Sequence, residues 1–283
     1  MISQIKRKSL LYKSGVEYAD YCINHVEGCS HGCRFPCYAM MLKKRCGVIK
    51  DYKDWIKPKI VINALELLDK EIPKLKDKIK VVHLSFTTDP FMYKQPEVAD
   101  LTLKIIERLN RAGIRCTVLT KGIYSKELTD KNRFSGDNEY AITLVSLSDE
   151  FHKQFEPGAS PYRQRINSLK YLHEKGLKTW ISMEPYPTPN LVKQNLSEIL
   201  NEIRFVDKII FGKLNYNVKT SKFENNKEFY DEQAKEVIDF CRKNNIEYHI
   251  KYGTQIVENR NTEKIFKQEY GSAYQPELVY IQV

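Results

Sequence analysis

The stretch GCSHGCRFPCYAM, residues 28–40, contains three cysteines within nine residues: Cys29, Cys33 and Cys37. Three residues separate each neighbouring pair, and Pro36 immediately precedes the last cysteine. The other four cysteines of the chain show no paired spacing: Cys22, Cys46, Cys116 and Cys241. An odd number of cysteines with one tight group favours a metal or cluster site over a disulfide framework. The stretch therefore predicts a loop that holds a metal ion or an iron–sulfur cluster.

The composition of the 283-residue chain is that of a globular protein with an ordinary core, because 42% of the residues are hydrophobic and 29% are charged. The sequence has no apolar run of about 18 residues, the length of a membrane span. The first residues, MISQIKRKS, are not followed by the apolar core of a signal peptide. We therefore expect a cytoplasmic protein that does not use a membrane. The net charge of +10 favours polyanionic partners such as nucleic acid.

Short apolar runs alternate with longer amphipathic runs from residue 80 onward. The predicted strands cover residues 80–86, 114–121, 140–147, 177–184, 207–214 and 246–253, and an earlier strand leads into the cysteine loop. The predicted helices cover residues 96–113, 160–176, 191–205 and 228–245, with two more near 38–44 and 61–70. For the helix that Gly176 closes, Ser160 is predicted as the N-cap and Pro161 as the first residue. Such repeated alternation predicts a parallel α/β sheet.

The residues at the ends of the predicted strands favour a barrel over an open sheet. Each strand ends in reactive or polar side chains: the three cysteines, Thr88 with Asp89, Lys121, Ser146 with Ser148, Glu184, and Lys213 with Asn215. In (β/α) barrels the site lies at the carboxyl ends of many strands, whereas an open doubly wound sheet concentrates it at one switch point. We therefore predict a partial (β/α)6-type TIM barrel over residues 23–255. An N-terminal extension (1–22) and a C-terminal extension (256–283) that packs on the barrel would flank it.

The spacing of the cysteines alone leaves two kinds of site open. Structural zinc needs four ligands in a closed tetrahedron, and His25 or His31 is near enough in sequence to be the fourth. A four-iron cluster held by only three cysteines leaves one iron open. An open iron can take a chelating substrate, such as the amino and carboxylate groups of a methionine moiety.

The segment NHVEGCSHGCRFPCYAM (24–40) resembles the cluster loop of the radical S-adenosylmethionine (radical SAM) superfamily. More narrowly, it resembles the spore photoproduct lyase-like, or DNA repair photolyase-like, branch. Further segments match that branch in order: TTDPFMYKQPE (87–97), VLTKG (118–122), VSLSDE (145–150), EPGASPYRQRINSLKYLHEKGL (156–177) and SMEPYPTPN (182–190). The superfamily usually has two residues between the second and third cysteines, and this chain has three. Because loops tolerate insertions at little cost, we interpret the loop as a CX3CX3C variant.

The resemblance implies a [4Fe-4S] cluster on Cys29, Cys33 and Cys37, S-adenosylmethionine (SAM) as cofactor, and a reductant such as flavodoxin or ferredoxin. It implies a lyase or modifying enzyme in which a 5′-deoxyadenosyl radical abstracts hydrogen from a substrate, with nucleic acid or a nucleotide favoured. The predicted SAM contacts are Thr88, Asp89, Lys121, Ser146, Ser148, Arg165 and Glu184. Structural roles stay open for several of these. Arg165 can pair with Glu156, and Glu184 can pair with a lysine of the barrel. Serines such as Ser146 and Ser148 are common at strand ends, and Asp89 before Pro90 is also ordinary turn chemistry.

Two alternative functions remain open from the sequence. One is modification of a peptide or of a partner protein encoded by a neighbouring gene, although no second cysteine set for an auxiliary cluster is present. The other is a non-catalytic nucleic-acid-binding module stabilised by zinc or a cluster. The repair enzyme of the branch is thought to return a hydrogen atom from a cysteine near its substrate. No cysteine occurs in residues 85–97, and Cys116 begins a strand at the opposite end of the barrel. Spore photoproduct repair itself is therefore not expected.

Overall fold

The computed structural model describes residues 2–14 and 19–256. Within them the strands are β1 (Ser3–Ile5), β2 (Leu11–Lys13), β3 (Tyr21–Ile23), β4 (Val26–Glu27), β5 (Lys59–Val61), β6 (Val81–Leu84), β7 (Arg115–Thr120), β8 (Glu139–Thr143), β9 (Lys178–Tyr186), β10 (Lys208–Lys213) and β11 (Glu247–Ile250). The α-helices are α1 (Tyr38–Arg45), α2 (Tyr52–Trp55), α3 (Ala64–Leu75), α4 (Pro96–Arg111), α5 (Asp149–Phe155), α6 (Tyr162–Glu174), α7 (Leu196–Glu202), α8 (Val218–Ser221) and α9 (Asn226–Asn244).

The main sheet has eight strands in the order β11-β10-β9-β8-β7-β6-β3-β2. Every neighbouring pair from β3 to β11 is parallel, and only β2 runs antiparallel, against β3. A small second sheet joins β1, β5 and β4. Parallel strands need crossover connections, and helices such as α4 and α6 supply them. The predicted parallel α/β architecture is confirmed.

The two faces of the main sheet have different environments. Along β8, Tyr140 and Ile142 pack with the helices in the large outer core, whereas Ala141 between them packs with Trp180 and Ile210 in a separate small cluster. Successive side chains of a strand point to opposite faces, so the small cluster marks the inner face. This alternation is typical of a barrel with a filled interior.

The sheet curves strongly enough to bring distant strands together. The charge of Lys251, which follows β11, adds to burial in lowering the pKa of His83 on β6 to about 3. Five strand spacings separate β6 from β11, which in a flat sheet would be about 24 Å. The charge of Lys251 acts on His83 over a shorter span than that, so the inner faces of β6 and β11 lie closer together than in a flat sheet. The predicted partial TIM barrel is confirmed, and β2 and β11 do not pair with each other in the described residues.

Helix α4 shows how the sequence pattern produces the outer layer. Pro96 occupies the first turn, where a missing N–H costs nothing, and the apolar stripe follows at helical spacing. Its buried residues are Val98, Thr102, Leu103, Ile105, Ile106 and Leu109. The stripe packs the helix on the outer face of β7 and against α3.

Two predicted helix starts were wrong. Pro161, not Ser160, is the N-cap of α6, because the Ser160 hydroxyl instead donates to the carbonyls of Lys121 and Gly122. The helix predicted from residue 191 begins only at Leu196, where the Asn195 side chain accepts a hydrogen bond from the Ser197 N–H. In both cases a hydrogen bond made by a polar side chain accompanies the observed helix start, and the periodicity of the sequence does not show such a bond.

The predicted extensions remain predictions. The predicted C-terminal extension lies, apart from its first residue, outside the described residues. In the N-terminal part, β1 pairs with β5 and β2 pairs with β3. No helix in the described residues is long and apolar enough to span a bilayer.

Candidate active site

The cysteine loop lies beyond the carboxyl end of β3. It follows β4 and ends at Cys37, which is the N-cap of α1. The Cys29 N–H donates to the Trp55 carbonyl at 2.9 Å, which fixes the start of the loop on α2. Cys29 is buried, while Cys33 and Cys37 are partly exposed. The three thiols therefore lie at the edge where the strands of a parallel barrel present their functional groups.

Two glycines allow the cysteine loop to form. Gly32 has a φ of +57°, and a Cβ there would lie 2.6 Å from the Tyr52 hydroxyl, which donates to the Gly32 carbonyl at 2.8 Å. Gly158 approaches from the segment after α5, where its N–H donates to the His31 carbonyl at 2.9 Å. A Cβ at Gly158 would lie 2.1 Å from the Ser30 carbonyl oxygen. Only glycine fits such a backbone contact.

The extra residue of the CX3CX3C loop is accommodated by an aromatic anchor. Phe35, which precedes the extra residue Pro36, is 5% exposed and packs edge-on against Phe151 at 5.0 Å and Phe155 at 5.3 Å between ring centroids. The Arg34 N–H donates to the Phe155 carbonyl at 2.8 Å. These contacts with helix α5 fix the part of the loop that lies between Cys33 and Cys37.

The segment after β6 ties the cysteine loop to the barrel. The Thr88 hydroxyl donates to the Gly28 carbonyl at 2.6 Å. The buried Asp89 carboxylate accepts from the Thr120 hydroxyl at 2.6 Å and from the backbone N–H groups of Phe91 and Lys121 at 3.0 and 2.8 Å. These two predicted site residues thus have structural partners, and their contacts with SAM remain predictions.

A buried chain of three charges lies against the loop. The Lys121 ammonium is 2.9 Å from one oxygen of Glu156, and the Arg165 guanidinium is 2.6 Å from the other. Arg165 also donates to the carbonyls of Ser160 and Thr143 at 2.9 and 3.0 Å. The Lys121 ammonium lies 3.8 Å from the Cys33 sulfur. Lys121, Glu156 and Arg165 are called the charge triad below.

Burial and pairing shift the pKa values in the charge triad. Burial alone would raise the pKa of Glu156, but the two cations outweigh burial and lower it to about 2. Burial would lower the pKa of Lys121, but the charges of Cys33 and Glu156 outweigh burial and raise it. Lys121 and Glu156 are therefore both charged at neutral pH, and with the guanidinium of Arg165 the triad has two cations and one anion.

Burial raises the pKa values of all three loop cysteines. Burial raises the pKa of Cys29, and the charges of Asp89, Cys33 and Cys37 raise it further. Burial also raises the pKa of Cys33, to about 12, although Lys121 opposes this shift. Metal ions bind thiolates and displace their protons, so such thiols suit a metal group that compensates their buried charge.

Neither nearby histidine is placed as a fourth ligand. The Nε2 of His31 accepts from the Tyr93 N–H at 2.8 Å, and its Nδ1 is 3.4 Å from Asp89. The Nε2 of His25 is 2.7 Å from the Thr102 hydroxyl, and its Nδ1 is 3.4 Å from the Ser85 hydroxyl. Because all four ring nitrogens already have partners, the histidines do not add to the three cysteines as candidate ligands. Three thiolates match the ligand count of a site-open cluster, whereas structural zinc needs four ligands.

The remaining predicted site residues lie at the ends of β8 and β9. The Ser148 hydroxyl accepts from the Phe151 N–H and caps α5, and the Ser146 hydroxyl accepts from the Ser148 N–H at 3.2 Å. One oxygen of Glu184 lies 3.8 Å from the Lys251 ammonium, the type of pair left open by the sequence. The structure brings Asp89, Lys121 and Arg165 next to the loop, whereas Glu184 contacts Lys251, which follows β11.

Two residues in or next to the cysteine loop, Phe35 and Glu156, were not predicted as site residues. Glu156 is 3% exposed and joins both cations of the charge triad. A carboxylate directly before Pro157 and Gly158, inside a segment already matched to the family, was the available signal. For Phe35, the sequence contained no indication of a role at the site other than its position between two cysteines.

Comparisons with known proteins agree with this geometry. A family model described as the radical SAM superfamily matches residues 23–206. An uncharacterised protein of Acidianus two-tailed virus, ORF301, is 27% identical over 199 residues, which are 67% of this chain and 64% of that protein. An uncharacterised protein of Methanocaldococcus jannaschii, MJ0683, is 26% identical over 192 residues, 68% of this chain and 69% of that protein. The chain thus spans slightly less than two thirds of the viral relative.

Solved structures of spore photoproduct lyase mutants have a similar fold. One, with a bound dinucleoside spore photoproduct, has a TM-score of 0.63 at 16% identity and covers 88% of this chain and 81% of that chain. Another, with bound AdoMet and the same dinucleoside, has a TM-score of 0.58 at 17% identity and covers 87% and 80%. At this level of identity the similarity concerns the fold.

Proposed function

The chain belongs to the radical SAM superfamily and is a radical SAM enzyme, and from this premise we propose that Cys29, Cys33 and Cys37 hold a [4Fe-4S] cluster that works with SAM. The observation that supports the proposal is the cysteine loop itself: it carries three cysteines between β4 and α1, and both nearby histidines are engaged elsewhere. Three thiolates on four irons leave one iron open to a small chelating molecule.

When bound and reduced, such a cluster supplies the electron that divides SAM into methionine and a 5′-deoxyadenosyl radical, which abstracts hydrogen from the substrate. The protein orients and shields this chemistry. The barrel wall at β6–β8 contributes Asp89, Lys121 and the Ser146–Ser148 turn, and we propose that polar groups of SAM contact them. Thr88 and Glu184 are further proposed contacts. Arg165 is buried and bonds to Ser160, Thr143 and Glu156, so we assign it the role of positioning Glu156.

We further propose that the substrate is nucleic acid or a nucleotide, modified or repaired through the radical. The net charge of +10 supports a polyanionic partner. Exposed aromatic side chains beyond β10 and β11, Tyr216 and Tyr252, are of the type on which bases stack. The spore photoproduct lyase structures contain a dinucleoside, and the proposal extends that substrate class to this chain. Outside the loop, Cys22, Cys116 and Cys241 are buried and Cys46 is exposed, and none of them is assigned as the source of a returned hydrogen atom.

Anaerobic reconstitution with iron and sulfide tests the cluster. We expect about four irons per chain and a brown chromophore in the wild type. Replacing any of the three loop cysteines with alanine should abolish both, whereas Cys46→Ala, at an exposed cysteine just after α1, should abolish neither. Stoichiometric zinc without iron uptake would refute the proposal.

Binding of a labelled oligonucleotide at several salt concentrations tests the substrate class. Affinity should fall steeply with salt, because each phosphate neutralised by the protein releases counterions. Absence of binding, or binding that salt does not change, would rule out the nucleic-acid proposal and leave the cluster proposal standing.

A further inference from the structure

We infer that Lys121 is a second-sphere cation of the cluster, held against the Cys33 sulfur by Glu156, and that it raises the reduction potential of the cluster. This inference rests on the proposed cluster at Cys29, Cys33 and Cys37. It assigns Lys121 to the metal centre, whereas its place in the sequence suggested only a partner for the SAM carboxylate.

The contacts of Lys121 point to the cysteine sulfur. Its ammonium lies 3.8 Å from the Cys33 sulfur, within the range of an N–H···S hydrogen bond, and 2.9 Å from Glu156. Its backbone N–H is also held, by Asp89 at 2.8 Å. The ammonium passes near the Phe35 ring, 5.9 Å from its centroid. Lys121 is thus fixed at both ends on the wall facing the loop.

The Glu156 carboxylate is fixed by other buried groups, so the position of the Lys121 ammonium does not depend only on the flexible side chain of the lysine. Arg165 binds the second carboxylate oxygen and is anchored on two backbone carbonyls. Side-chain exposure is 4% for Glu156 and 2% for Arg165, against 18% for Lys121. A side chain set by buried partners in this way is preorganised for the sulfur.

Charge balance explains why a cation belongs at this position. A [4Fe-4S] cluster core of charge +2 on three thiolates has a net charge of −1, and one-electron reduction makes it −2. The charge triad carries +1, so it stabilises the reduced form more than the oxidised form. Hydrogen bonds to cluster sulfurs and nearby positive charge are known to raise such potentials. Asp89, near Cys29, acts in the opposite direction.

The test compares reconstituted Lys121→Met, Lys121→Arg and wild-type proteins by potentiometric titration followed by electron paramagnetic resonance, without SAM. In the Met variant the reduction equilibrium should shift at least tenfold against reduction, which is about 59 mV for one electron. The Arg variant keeps the cation and should stay close to wild type. Lys126→Met removes an exposed lysine five residues further on and should not shift the potential.

A second variant, Glu156→Gln, removes the negative charge of the triad and should shift the potential in the opposite direction, toward easier reduction. Iron loss in Lys121→Met but not in Lys121→Arg would also support the inference, since it shows that the cluster needs the cation. In that case the change in reduction potential is measured on the Glu156→Gln variant. Unchanged potentials in both variants, with only SAM affinity lowered in Lys121→Met, would overturn the inference in favour of a carboxylate contact. Absence of iron in the wild type would instead refute the proposed cluster.

Discussion

Substituting Arg165 with methionine removes the most buried cation of the site while keeping an unbranched side chain of similar length. The guanidinium is 1% exposed, pairs with Glu156 at 2.6 Å and satisfies the carbonyls of Ser160 and Thr143. The substitution leaves a buried carboxylate with one cation and two carbonyls without their donor. Breaking a buried pair from one side costs about 3–5 kcal/mol. We expect Arg165→Met to lower the free energy of unfolding by that amount.

Urea unfolding of the iron-free protein, followed by circular dichroism, measures this change. Arg165→Lys keeps the charge for Glu156 but lacks the planar fork, so it should recover roughly half of the loss. Arg163→Met, at an exposed position two residues earlier, should change stability by no more than about 0.5 kcal/mol. A loss below about 1 kcal/mol in Arg165→Met, or an equal loss in Arg163→Met, would refute the view that Arg165 organises the site.

Two further predictions follow from buried groups. Burial lowers the pKa of both His25 and His83 to about 3, so unfolding takes up protons below their unfolded pKa of about 6.5, and stability is lost as pH falls from there toward 3. Between pH 6.5 and 5 the loss from these two histidines should be about 3 kcal/mol, and His83→Gln should remove about half of it; an unchanged pH dependence would contradict this. A methyl group at Gly158 would collide with the Ser30 carbonyl, so Gly158→Ala should lower iron uptake, whereas Gly136→Ala, with nothing within 4 Å, should not. Full iron uptake by Gly158→Ala would show that the loop does not need this contact.

The sequence predicted the parallel sheet well, because each strand combines an apolar run with a polar group at its end. The strands at residues 115–120 and 208–213 lie within their predicted ranges, and the strand at 139–143 begins one residue before its predicted range. The short strands β1, β4 and β5 were not predicted, because two or three residues are too few for a periodic pattern. Their pairing depends on distant partners, such as Ile60 opposite both Gln4 and Val26.

The sequence predicted which residue types belong to the site, but it did not predict which of these residues contact one another. The position of Lys121 after an apolar strand indicated a functional lysine, yet its partner Glu156 lies 35 residues further along the chain, and nothing local predicts that contact. Similarly, the sequence offered His25 and His31 as zinc ligands because they are close to the cysteines. The fold instead directs their rings to Thr102 and to the Tyr93 backbone.

The most direct test of the central claim is formation of 5′-deoxyadenosine from SAM by the reconstituted protein under dithionite, measured by mass spectrometry. We expect the product from wild type and from Cys46→Ala, and none from Cys29→Ala, Cys33→Ala or Cys37→Ala. Equal formation by wild type and a loop-cysteine variant, or no formation by a wild type that carries four irons, would contradict the account.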